Sequence, residues 1–375
     1  MRISIIIVFL GITLLLCACR KSKDNPKTTE NGKDREEMLR HYADSIIIPA
    51  YTGFKTSFEL LHNNSELFIS NPTEASLVSF RTAWANAYIQ WQTVELFDFG
   101  PGEILTLRNF YNIYPADING IKSNFSDTSA NLEVPASYSQ QGFPALDYLI
   151  NGISSDDAAI VAYYKDPSEG AKRTAYIRRI VQRMNSLIGL VIAEWNGPYK
   201  STFISKTGLD LNSSTSVMVN GLVLHYERFI RSGKIGIPSG VMLNGTVAPE
   251  KVEAFYKNDI SLSLAKSAQQ AYVDFFNGNA FNSKTAGPSL KTYLDALGAK
   301  DNVSGKMLSQ IMNEQFSLTE SKINSLMPSF YQQILSNNDV MKEVFNHMQT
   351  VVRMLKVDMT SAMSITITYT DNDGD

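Results

Sequence analysis

From Glu36 onward, apolar residues return at intervals of three and four almost without interruption, which is the period of an amphipathic α-helix. The clearest stretch opens at Asn71-Pro72-Thr73-Glu74. Asn71 can cap, Pro72 suits the first helical position, and Glu74 stands three residues after the cap. This helix is predicted to run to Asp98 and to stop at Gly100-Pro101. The same period predicts helices over 168–195, 213–231, 249–276, 303–327 and 339–363. Alternation of period two is confined to Ile365-Thr366-Ile367-Thr368-Tyr369, read as one short extended segment. Long helices parted by short breakers imply antiparallel packing. Turn formers cluster over 197–212, so the expected fold is all-α, with two packed helical bundles near 36–200 and 205–375.

The first residues follow a different pattern. Arg2 supplies a positive charge, Ile3 to Leu16 an apolar run, and Leu16-Cys17-Ala18-Cys19 a cleavage site. The run is shorter than the ~20 residues that span a bilayer and reads as a secretory signal over 1–18. Ala18 is the small residue that lipoprotein processing requires before the modified cysteine, so Cys19 is the expected lipidation site and membrane anchor. Residues 19–35 are polar, contain Pro26 and Gly32, and read as a flexible tether. The expected location is the cell envelope, on the periplasmic or surface face of the outer membrane. A plain secreted protein is the alternative.

Composition removes some functions. The chain carries a net charge of −3 and has no basic stripe interleaved with aromatics, so nucleic acid is not an expected partner. With 44% hydrophobic and 19% charged residues, it is a folded chain and not a disordered one. His41, His62, His225 and His347 are scattered, and no His-Glu-x-x-His helix exists. His225 and Glu227, two apart, point to opposite sides of a helix and cannot chelate one ion. No nucleophile elbow, phosphate loop or dinucleotide fingerprint occurs. The terminal Asp371-Asn372-Asp373-Gly374-Asp375 lacks the glycine and glutamate positions of a calcium loop and reads as a solvated tail.

Candidate chemistry lies on the helix from Asn71. Arg81, Tyr88, Gln92 and Glu95 fall within about 60° of one another on an ideal helix, beside an apolar stripe of Leu77, Phe80, Trp84 and Trp91. Polar groups so near a core need partners. Two readings stand: a site in which Glu95 is a carboxylate ligand or base, and an Arg–Glu and Tyr–Gln network that fixes helix packing.

Three segments resemble the imelysin family in its own order. Residues 80–101 (FRTAWANAYIQWQTVELFDFGP) are similar to its Arg-x-x-Trp and Gln-x-x-Glu helix. Residues 108–118 (RNFYNIYPADI) are similar to its Asn-x-Tyr-Pro-x-Asp turn, and 141–149 (QGFPALDYL) to its Gly-x-His-x-x-Glu signature. In the last, Gly142 fills the first slot, Pro144 replaces the histidine and Asp147 the glutamate. The family's His and Glu are its proposed metal or catalytic pair, and proline can neither ligate a metal nor transfer a proton. The resemblance implies a two-part helical fold and a role in iron or other metal uptake, with iron or another divalent or trivalent cation as ligand and envelope uptake proteins as partners. Glu95, Asp117 and Asp147 are the candidate oxygen ligands. The expected function is a non-catalytic binding or accessory protein. A metallopeptidase of the family and a helical scaffold for a protein partner or small solute are the alternatives.

Overall fold

The computed structural model describes residues 26–370, with side chains from residue 32 onward. The signal segment, Cys19 and the acidic tail 371–375 lie outside the described residues.

Helix α1 (Pro26–His41) passes through a π-helical turn (Tyr42–Ile47) straight into α2 (Ile48–Ser70). The tether expected over 19–35 is therefore helical from Pro26. Arg35 ties it down by donating to the Thr207 carbonyl at 2.5 Å and to the Tyr293 hydroxyl at 2.7 Å. Both partners belong to the second half of the chain.

Helix α3 (Glu74–Trp91) folds back along α2. Its cap is Thr73, which with Ser76 forms a reciprocal capping box, and not Asn71 as expected. The helix also ends earlier than Asp98. Thr93 and Val94 are β-branched and disfavour a continued helix, and the chain tightens into turns in which Val94 and Phe97 each bond three residues back. Short helices α4 (Pro101–Ile104), α5 (Leu107–Tyr111), α6 (Ile118–Ser126) and α7 (Gly142–Asp147) follow. Then α8 (Asp157–Lys165) leads to the long α9 (Gly170–Asn196), which packs on α2 and stops at Gly197-Pro198 as the sequence predicts. Helix α10 (Pro198–Ser205) occupies the expected boundary.

In the second half, α11 (Ser214–His225) continues as a π-helical segment, Tyr226–Gly236. The helix expected over 249–276 begins only at Ser261, as α12 (Ser261–Asn277). Before it, Ala254 and Asn258 have left-handed backbones (φ 55° and 63°), which no helix tolerates. Helices α13 (Leu290–Ala296), α14 (Leu308–Ile323), α15 (Phe330–Arg353) and α16 (Thr360–Met363) complete the second half. The alternating segment at 365–369 forms no strand. Its ladder partner is one side chain: Asn220 donates to the Thr366 carbonyl at 3.0 Å and accepts from the Thr368 N–H at 2.8 Å.

One hydrophobic core runs through both halves. Its centre in the first half is aromatic, with Trp91 stacked on Tyr111 (4.6 Å) and Tyr88 on Phe143 (4.5 Å). Each such pair adds about 0.5–1.5 kcal/mol beyond its burial. These stacks hold α3, α5 and α7 in the register that brings their polar residues to the seam between the halves.

Candidate functional site

The polar residues of α3 and its C-terminal turns meet those of the second half in a closed network. Gln92 and Glu95 stand in the turns that end the helix, and Gln92 reaches Glu253 and Lys234 while Glu95 faces Arg108 and His225. Asn112, just past α5, joins two carboxylates: its Nδ2 donates to Glu95 at 2.9 Å and to Glu253 at 2.8 Å. Its Oδ1 accepts from the Tyr88 hydroxyl at 2.5 Å. Gln92 donates to Glu253 at 3.2 Å and accepts from Lys234 Nζ at 2.7 Å. Lys234 also pairs directly with Glu253. Gln92, Glu95, Asn112, Lys234 and Glu253 are all buried.

The charges balance. Lys234 answers Glu253, and the Arg108 guanidinium lies 3.6 Å from Glu95. Burial alone would raise the Glu95 carboxyl, yet His225, Lys234 and Arg108 together hold it below the usual carboxylate range. Burial and then Glu253 push the Tyr88 hydroxyl well up, so it serves as a neutral donor. His225 Nε2 stands 3.9 Å from Glu95, outside hydrogen-bonding range, and neither ring nitrogen has a hydrogen-bond partner among the described residues. Glu227, two residues on, turns the other way to Lys356 and Tyr369.

Other candidates from the sequence lie elsewhere. Arg81 leaves the stripe and donates to the Ile150 carbonyl and to Asp157, both at 2.7 Å. The arginine beside Glu95 is Arg108. Asp117 caps α6 through the Gly120 N–H at 3.0 Å and accepts from Gln140 at 3.2 Å. Asp147, at the end of α7, accepts from the backbone N–H groups of Tyr256 (2.8 Å) and Lys257 (2.9 Å) and from Asn151 (2.9 Å). It clamps the left-handed loop that carries Glu253 into the network. Gly142 has φ +78°, and a Cβ there would stand 2.4 Å from the Tyr111 carbonyl oxygen, so the first motif slot needs glycine.

Glu95, Asp117 and Asp147 thus do not converge. Among the described residues, no group of three or more His, Cys, Asp or Glu side chains is arranged to hold a metal ion. Each expected ligand already has protein donors, so this set does not fit a bare cation.

Two cavities adjoin the network and share Tyr114 and Pro115. The smaller, about 170 Å³, is lined by Pro144, Asp147, Glu250 and Tyr256. The larger is a cleft of about 530 Å³ lined by Arg108, Arg228, Phe229, Ser232 and Lys251, a size that suits a small ligand. Lys234 and Glu253 escaped the sequence reading. Lys234 stands in a mixed stretch, Ile230 to Ile237, beside Arg231 and Ser232, and nothing there marks it as buried.

Comparison with known proteins agrees with this architecture. A chain from Psychrobacter arcticum described as imelysin-like superposes with a TM-score of 0.68 at 17% identity, covering 90% of this chain and 98% of that one. A protein from Parabacteroides distasonis, named as an iron-regulated protein A precursor, gives a TM-score of 0.71 at 17% identity over 88% and 95% of the two chains. Iron-regulated protein A of Synechococcus elongatus is 22% identical over 286 residues, 74% of this chain and 72% of its own. The imelysin family profile matches residues 47–356, and the chain belongs to that family.

Proposed function

We propose that this chain is a non-catalytic binding protein of the bacterial cell envelope, anchored at the outer membrane through lipid on Cys19 and serving iron uptake. The observation that carries the reading is the neutralised network at the seam. Glu95 and Glu253 are held by Arg108, Asn112, Gln92 and Lys234, which leaves no free carboxylate pair to activate a water. With Pro144 in the histidine slot, the motif has no group to share a proton with Asp147. A buried network of hydrogen-bonded carboxylates fixes geometry, and here it forms the rigid floor beside an open cleft of ligand size. The link to iron rests on the distant relative named iron-regulated protein A.

A deletion strain grown with scarce iron tests this reading. The deletion should slow growth only under iron limitation, the wild-type chain should restore it, and Cys19→Ala should leave the membrane fraction and fail to restore. Equal growth of deletion and parent would remove the iron role. Full membrane binding of Cys19→Ala would remove the anchor. Chelator-sensitive cleavage of a peptide library, lost on Asp147→Ala, would make the protein a peptidase instead.

A further inference from the structure

The cleft of about 530 Å³ has a charge opposite to that of the chain. The whole sequence carries −3, yet four basic residues, Arg108, Arg228, Arg231 and Lys251, line the cleft against a single acid, Glu227. That acid is already engaged: Lys356 lies 3.3 Å away and the Tyr369 hydroxyl donates to it at 2.8 Å. Arg231 is turned to Gln349 and Ser232 and contributes mainly its field. The others are differently placed. Lys251 makes no ion pair among the described residues, and Arg228 uses one nitrogen on the Thr370 carbonyl at 2.5 Å.

Arg108 is the most informative of them. Its Cζ sits 3.2 Å from the centroid of the Phe229 ring, so the planar fork is locked in place by stacking. Its side chain is only 13% exposed, and its buried Nε faces Glu95 Oε1 at 3.6 Å, an ion pair too long for a hydrogen bond. A carboxylate or phosphate matches that fork with two parallel bonds, and the low-dielectric wall of Phe229 and Tyr114 strengthens the attraction.

We propose that this cleft is an anion-binding site in which Arg108, flanked by Arg228 and Lys251, takes a small carboxylate or phosphate group. The inference deepens the binding-protein reading and rests on it. It also accounts for a binding role without a cation site: a metal would arrive inside an anionic chelate, recognised through the chelate's own oxygens.

Titration calorimetry of the full chain in detergent, with sodium citrate and separately with inorganic phosphate, tests the site. At least one anion should bind, with affinity that falls as salt is added. Arg108→Gln and the half-buried pair Arg228→Glu/Lys251→Glu should each weaken binding about tenfold or more, with circular dichroism confirming that the variants fold. Citrate binding alone would assign the site to polycarboxylates, and phosphate binding alone to phosphates. Binding of neither anion, or a Arg228→Glu/Lys251→Glu variant within about twofold of wild type, would overturn the proposal. Anion binding without an iron-dependent growth defect would leave this site standing and remove the iron role. A growth defect without anion binding would remove the site alone.

Discussion

Lys234→Met is expected to destabilise the fold by about 3–5 kcal/mol, the cost of leaving one charge of a buried pair alone. Lys234 is 2% and Glu253 3% exposed at the side chain, so water cannot replace the lost ammonium. The damage spreads further, because Gln92 Oε1 loses its donor and Gln92 itself holds Glu253. Pairing the change with Glu253→Gln removes the stranded charge while keeping its shape, and should recover a large part of the loss. Replacement of a buried pair by neutral groups is often nearly neutral. Urea unfolding of the two single variants and the double gives the coupling directly. A loss below about 1 kcal/mol for Lys234→Met would mean that the pair is solvated and that the network is not the rigid floor described above.

The second large effect concerns pH. Burial raises the Asp147 carboxyl from 3.8 to about 7, against the pull of the Tyr256 N–H, Asn151 and the Lys257 N–H. The folded pKa lies above the unfolded one, so between these two values the folded chain keeps a proton that the unfolded chain has released. Stability from this group is therefore fully present below about pH 3.8 and is lost as pH rises through about 7. A gap of this size corresponds to about 4 kcal/mol at most. Asp147→Asn cannot titrate, so its unfolding free energy should fall less than that of wild type between pH 4 and 8. Every other carboxylate is common to both proteins, and the difference between their slopes isolates Asp147. Identical slopes would show that Asp147 does not titrate across this range in the folded chain.

What the sequence disclosed and what it withheld divide along physical lines. The helical period and the breakers at Gly197-Pro198 predicted α9 almost to its ends, because a long amphipathic helix is set by local pattern. The family was legible in three short segments that the fold then placed together around the seam. The loop before α12 was not legible. Residues 252–260 look helical, but Asp147 captures two of their backbone N–H groups from another part of the chain, and Ala254 turns left-handed. The site suffered the same way. Tyr88, Gln92 and Glu95 were correctly seen as one polar face, while their partners Asn112, Lys234 and Glu253 come from as far as 161 residues along the chain. The π-helical segment that carries Lys234 has no reliable mark in the sequence. Arg81 shares that face but stands seven residues, about 10 Å, before Tyr88 in α3, and it reaches Ile150 and Asp157 instead.

The proposed binding uses a neutralised scaffold and a basic cleft and needs no carboxylate cation site. Titration of the wild-type chain and of the Glu95→Gln/Asp147→Asn variant with zinc, calcium and ferric citrate separates the two. Heat with ferric citrate that persists in the folded variant, and none with zinc or calcium, is the predicted result. Heat with zinc or calcium that disappears in the variant would instead assign a metal centre to Glu95 and Asp147.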